Sequence, residues 1–251
     1  DHDDGEKTFL GETGRFNGED IIAIIVKQEA TARFVATRLF QFFAADEITE
    51  AGEKTIEAMM ATYFSSGYQI RDMLRTLFHS EYFKSEEARF ARVKGPVEMV
   101  VGAIRMAGNY QDPYLGIEGV ANTMFYMGQG LLRPPTVEGW HEGTEWINSG
   151  SLMKRINFCA DMVGDVSHPG IQSIVGRIRR KGTLGPEQLV DTCLDLMGPL
   201  EVVSENRQLL VDHATEFGQL RWETEQDVSN SGEKIGELLQ LVVSLREYLY
   251  A

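Results

Sequence analysis

The residues richest in chemistry fall in two places. The first is Asp1-His2-Asp3-Asp4-Gly5-Glu6-Lys7, which sets four carboxylates beside an imidazole and an amine. Clustered oxygens suit a hard cation, and a histidine adds a ligand for a transition metal. His2, Asp3 and Asp4 are the metal candidates, and Lys7 is a catalytic one. The spacing matches no EF-hand loop, so a metal is not favoured. The plain reading is a solvated acidic segment. The second place is Arg133-Pro134-Pro135-Thr136-Val137-Glu138-Gly139-Trp140-His141-Glu142, running on to Glu145 and Trp146. His141 with Glu138, Glu142 and Glu145 offers an acid–base or metal set, which makes His141 and Glu142 catalytic candidates. No second histidine completes H-E-x-x-H, so a zincin site is excluded. Pro-Pro and the two tryptophans favour a different role, a loop packed down as a latch. In that role Arg133, Trp140, Trp146 and, on the following helix, Arg155 are the binding candidates.

Other ionisable groups have plainer readings. Glu98, two residues after Pro96, sits where a carboxylate favours the helix dipole, and Arg105 lies on the same side of that helix. Arg33, Thr37 and Gln41 share one helix face, opposite Val35, Leu39 and Phe42. An arginine there can snorkel or pair with a carboxylate. His213 aligns with Leu210, Ala214 and Phe217 and reads as a core histidine. Cys159 and Cys193 sit on apolar helix faces outside any C-x-x-C, and read as buried, inert thiols; a disulfide between neighbouring helices is the alternative in an oxidising compartment. No G-x-S-x-G, P-loop, dinucleotide fingerprint or kinase set occurs, and no cofactor is implied.

Helices must position these groups. Apolar residues recur at i, i+3, i+4 and i+7 along the chain. Examples are Ile56, Met59, Met60 and Tyr63; Ile70, Met73, Leu74 and Leu77; Ile171, Ile174, Val175 and Ile178; and Ile235, Leu238, Leu239 and Val242. Punctuation agrees. Asn17 with Asp20 forms a capping pair, Gly95-Pro96 and Gly185-Pro186 are starts, and Gly182 after Arg179, Arg180 and Lys181 is a stop. Ser149 or Ser151 is read as the cap of the helix that carries Arg155, and Ser204 and Ser231 as further starts. No convincing period-2 alternation is found. The expectation is an all-α fold, an irregular multi-helix bundle of about ten helices with one long ordered loop, built as a single helical domain over 1–251. The irregular stretches are the N-terminal 1–18 and the loop 128–150.

The composition is that of an ordinary globular chain, 43% hydrophobic and 25% charged over 251 residues. Its 24 basic against 38 acidic residues give a net charge of −14. That argues against a nucleic-acid or anionic-membrane binder, since both need a basic face. The apolar run from Ile21 to Val26 is far too short for a transmembrane segment.

Several of these motifs together resemble the second half of the bacterial family called domain of unknown function 1800. They are His2-Asp3-x-Gly5-x-Lys7-Thr8-Phe9-Leu10-Gly11, Thr13-Gly14-x-Phe16-Asn17-Gly18-Glu19-Asp20, Ala30 to Phe34, and Leu39-Phe40-x-Phe42-Phe43. Further on come Val93-Lys94-Gly95-Pro96-Val97-Glu98 with Arg105, Pro134-Pro135-x-Val137-x-Gly139-Trp140, and Trp146-Ile147-Asn148-Ser149 with Leu152 and Arg155. The tail from Leu239 to Tyr248 resembles the family's last helix.

The resemblance implies a mostly helical, often exported protein, periplasmic or attached to the cell envelope. It implies a partner in a second family, domain of unknown function 1501, which resembles sulfatases and phosphatases. It implies neither an activity nor a cofactor. The chain begins with Asp rather than Met and is read as the C-terminal half of a longer family domain, whose N-terminal half would be a further partner. The helices at 21–28 and 31–43 are then expected to show an uncovered apolar patch. Two functions stand open: a binding or assembly module acting with a secreted partner, and a hydrolase-like enzyme whose site joins the N-terminal His/Asp segment to the 133–146 loop.

Overall fold

The computed structural model describes residues 3–110, 112, 116–198 and 200–251. The fold is all-α: eleven α-helices and one short hairpin among the described residues. The chain divides into two compact units, Asp1–Arg92 and Val93–Ala251.

The first unit opens with the hairpin β1 (Lys7–Phe9) and β2 (Glu12–Gly14), with Thr8 opposite Thr13. Its turn residues Leu10 and Gly11 both have positive φ (47° and 85°), the twist that a two-residue hairpin loop needs. These strands are too short to show alternation, and the sequence reads them as irregular. Then follow α1 (Gly18–Val26), α2 (Glu29–Phe43), α3 (Glu50–Ser65) and α4 (Ile70–His79). Asn17 Oδ1 accepts the Glu19 and Asp20 amides, and Asp20 returns a bond from the Asn17 amide, the expected capping box. The core of this unit is Phe40, Ile56, Met59, Met73 and Leu77.

On α2 the buried stripe is Ala32, Ala36 and Phe40. Val35 and Leu39 are half-buried, and Phe42, expected inside, points out. Small residues win the inner positions because α2 packs closely on α3. A Cβ added at Gly52 of α3 would lie 2.8 Å from the Phe40 ring. At the edge of this face Arg33 pairs with Glu53 of α3, the role read from sequence.

The second unit holds α5 (Pro96–Ala107), α6 (Ile117–Tyr126), α7 (Ser149–Gly164), α8 (Pro169–Arg180), α9 (Pro186–Leu196), α10 (Ser204–Glu216) and α11 (Glu225–Ser244). Single 3₁₀ turns lie at Gly143–Trp146 and Arg246–Leu249. The centre is α11, whose Ile235, Leu238, Leu239, Val242 and Val243 are fully buried against α7, α8, α9 and α10. Two glycine contacts set its helix spacings. Gly236 of α11 meets the Gly164 carbonyl of α7, where a Cβ would come within 3.1 Å. Gly170, at the start of α8, lies against the Met106 carbonyl at the end of α5, where no side chain fits.

Three sequence readings need correction here. Asn148, not Ser149 or Ser151, caps α7, with Ser151 completing the box at the third position. Thr224 and Asp227 cap α11, which places Ser231 and Glu233 well inside the helix. His213 is only half-buried, with its ring edge-on to Phe217 at 4.6 Å. Cys159 on α7 and Cys193 on α9 are free and buried. Burial pushes both thiols up to about 12, the inert state read from sequence. Among the described residues no helix is long and apolar enough to cross a membrane.

Candidate functional site

The motif residues of the second unit converge on the N-termini of α5 and α7 and the chain end. Pro at the first position of α5 and Glu98 at the third fix its start, with Glu98 Oε2 accepting the Gly95 amide at 2.8 Å. Gln129 Oε1 accepts the next exposed amide, that of Val97, at 2.9 Å. The residue before the helix, Lys94, reaches the other way. Its amine donates to the Tyr248 carbonyl at 2.9 Å and lies 4.5 Å above the Tyr248 ring. Its backbone amide donates to the Leu249 carbonyl, and Val93 pairs with Tyr250 as an antiparallel bridge. The chain end is thereby tied to the start of α5.

Arg155 closes this arrangement from α7. Its side chain is 0% exposed. One guanidinium nitrogen donates to the Lys94 carbonyl, Nε points to the Met99 sulfur, and Nη1 has no partner among the described residues. Burial pushes Arg155 and Lys94 down from their ordinary values, and it pushes the Tyr248 phenol up. Desolvation governs this node, and its charges hold backbone in place.

The tryptophan loop is anchored beside it. Trp146 is buried against Gly128, as the latch reading requires of an anchoring indole. Gly128 has φ +102°, and a Cβ there would lie 3.7 Å from the Trp146 ring. Trp140 is half-buried and donates its indole N–H to the Gly130 carbonyl at 3.2 Å. Ser151 Oγ donates to the Trp146 carbonyl, joining the loop to α7. Arg133 is exposed, its guanidinium 5.5 Å over the Phe125 ring. His141 and Glu145 form an exposed pair, Nδ1 to Oε2 at 3.1 Å, and Glu142 is exposed beside them. Beyond the latch lies a cleft of about 420 Å³ between Thr144, Ile147, Leu152, Ile156 and the chain end at Leu249 and Tyr250. Gln129, Thr144, Ile156, Leu249 and Tyr250 belong to no motif read from the sequence, while Ile147 and Leu152 lie in one that gave no hint of a cleft.

In the first unit Lys7 donates to the Asp3 and Gly5 carbonyls, and Asp3 Oδ1 accepts the Gly5 amide. Asp3 and Asp4 are exposed, and His2 lies outside the described residues. Among the described residues no three His, Cys, Asp or Glu group into a metal-holding set. Lys7 and the His141 loop belong to different units.

The first unit has a second notable surface. Phe42, Phe43, Phe78 and Phe83 form a chain of rings with centroids 4.7, 5.4 and 5.1 Å apart, all exposed. Phe34 and Phe42, two turns apart on α2, are 64% and 67% exposed, and Ile22 of α1 is 62% exposed. Of the two helices expected to be uncovered, Ile22, Phe34, Phe42 and Phe43 are exposed, while Ile24, Ala32, Ala36 and Phe40 are buried. Beside Phe78, Arg71, Leu74, Arg75 and His79 of α4 line a shallow, open surface depression.

Comparison with curated proteins and with solved structures gives no match. A family model described as "Protein of unknown function (DUF1800)" matches residues 1–250, and the chain belongs to that family.

Proposed function

We propose that the protein is a helical binding and assembly module that docks a protein partner on the apolar side of its first unit. The observation that carries this reading is the exposed run Phe42, Phe43, Phe78 and Phe83, with Ile22 and Phe34 also exposed on α1 and α2. Large apolar groups scattered singly on a surface need no explanation, but a linked group of phenylalanines marks an interaction site. Aromatic side chains are also the anchors that contribute most when a partner desolvates them. Beside Phe78 stands Arg71, while Arg75 is paired with Asp72, so the docking segment of the partner would be chiefly apolar.

The partner that the family resemblance suggests is a secreted protein of the domain of unknown function 1501, met in the periplasm or at the cell envelope of a bacterium. The test is capture of that protein from the native envelope by wild type and by the Phe34→Ser, Phe42→Ser double variant. The expected result is capture by wild type and at least tenfold less by the variant, with equal melting temperatures. Equal capture by both would refute the face. A longer chain that carries the upstream half of the family domain and no longer exposes these rings would assign the face to that half.

A further inference from the structure

The cleft of the second unit combines two kinds of wall. Ile147, Leu152, Ile156 and Leu249 supply aliphatic surface from the latch, from one face of α7 and from the chain end. Arg246 and the Thr144 hydroxyl supply donors, while the Ser244 hydroxyl proton is given to the Gln240 carbonyl at 2.7 Å. At about 420 Å³ the space is within the range of small-molecule sites, which pair an apolar lining with a few polar groups that fix orientation.

Arg246 makes no ion pair among the described residues. The carboxylate next to it in sequence, Glu247, is engaged elsewhere: it accepts the Val203 amide and both of its oxygens accept the Asn206 side-chain amide. The guanidinium lies 5.7 Å over the Tyr250 ring, which faces the same cleft. The Tyr250 hydroxyl takes part of the guanidinium edge, and the remaining N–H groups can donate to a planar anion. The chain end that bears Arg246 is held by the Lys94 bonds to Tyr248 and Leu249, so the donor comes from an anchored segment.

We propose that this cleft binds a small molecule with an aliphatic chain and one carboxylate, the chain against Ile147, Leu152, Ile156 and Leu249 and the carboxylate on Arg246. This does not depend on the docking face of the first unit.

The test is calorimetric titration of the full chain with decanoate, decanol, decylamine and acetate, for wild type and for Arg246→Gln. Decanoate binds saturably at one site, about tenfold or more tighter than decanol, the gain expected of a charge-assisted bond. Decylamine binds no better than decanol, and acetate gives no signal. Arg246→Gln brings decanoate down to the level of decanol and leaves decanol unchanged. Because Arg246 is exposed, the variant should fold, and an unchanged melting temperature checks this. Absence of saturable decanoate binding, equal affinity for decanoate and decanol, or an unaffected Arg246→Gln variant would each overturn the proposal.

Discussion

The node on α5 and α7 of the second unit and the Leu39-Phe40-x-Phe42-Phe43 motif of the first stand in contrast, although Asn17 and Asp20 of the first unit also cap backbone and Val137 of the second is fully exposed. In the second, Lys94, Glu98, Trp146, Asn148 and Arg155 turn inward or onto backbone, and nearly every polar group among them caps or bridges a chain segment. In the first, the motif Leu39-Phe40-x-Phe42-Phe43 buries Phe40 and leaves Phe42 and Phe43 outside. Motif residues that bond to backbone are there for stability. Motif residues that leave large apolar surface in water cost stability and need another reason to be present, which the proposed contact with a partner would supply. Substitutions should therefore separate the two regions, one set acting on folding and the other on association.

The largest stability effect should come from Trp146→Ala, roughly 4 kcal/mol in urea denaturation, because a buried indole leaves a cavity. Trp140→Ala, at a half-buried ring, should cost less than half of that. Arg155→Met should follow at about 3 kcal/mol, because the Lys94 carbonyl loses its donor in a buried place. If either Trp146→Ala or Arg155→Met left stability unchanged, the node would not be the structural tie described.

Alkali should act on the second unit next. Cys159 and Cys193 are pushed up to about 12 by burial, and the Tyr248 phenol is also raised. A raised acid keeps its proton in the folded state after the unfolded chain has lost it. Stability from these groups is therefore complete below the unfolded thiol value of about 8.5 and falls as pH rises toward 12. Lys94, pushed down, works in the opposite sense. The melting temperature should fall between about pH 8.5 and 10.5, and Cys193→Ala should make that fall shallower. A flat profile would remove the thiols from the account. The smallest stability effect belongs to Phe34→Ser and Phe42→Ser, within about 0.5 kcal/mol. A cost near that of Trp146→Ala would mean that these rings are core and would abolish the contrast.

The sequence showed much of this fold, and its failures have physical causes. The stripes at Ile56–Tyr63, Ile171–Ile178 and Ile235–Val242 were readable because each helix buries a single face. On α2 the periodicity was right and the chosen face wrong, since alanines fill the inner positions where two helices come close and phenylalanines stand outside. The start of α11 was misplaced because its first six residues, Glu225 to Asn230, carry little apolar signal, so that the helix begins before its buried face does. Of the candidate site, Pro134 and Pro135, read as packing the loop down, stand exposed, whereas the buried Trp146 was legible from the aromatics of the loop. The burial of Arg155 was not, because no local pattern announces a guanidinium whose acceptor is a carbonyl 61 residues earlier. The cleft is assembled from the loop, α7 and the chain end, and such convergence exists only in three dimensions.

Amide hydrogen exchange on the full chain, alone and with the partner proposed above, tests the contrast most directly. The account predicts new protection in α1, α2 and α4, with the exchange of the loop 133–147 and of α7 unchanged. Protection confined to that loop and α7, with α1, α2 and α4 exchanging as in the free protein, would contradict it.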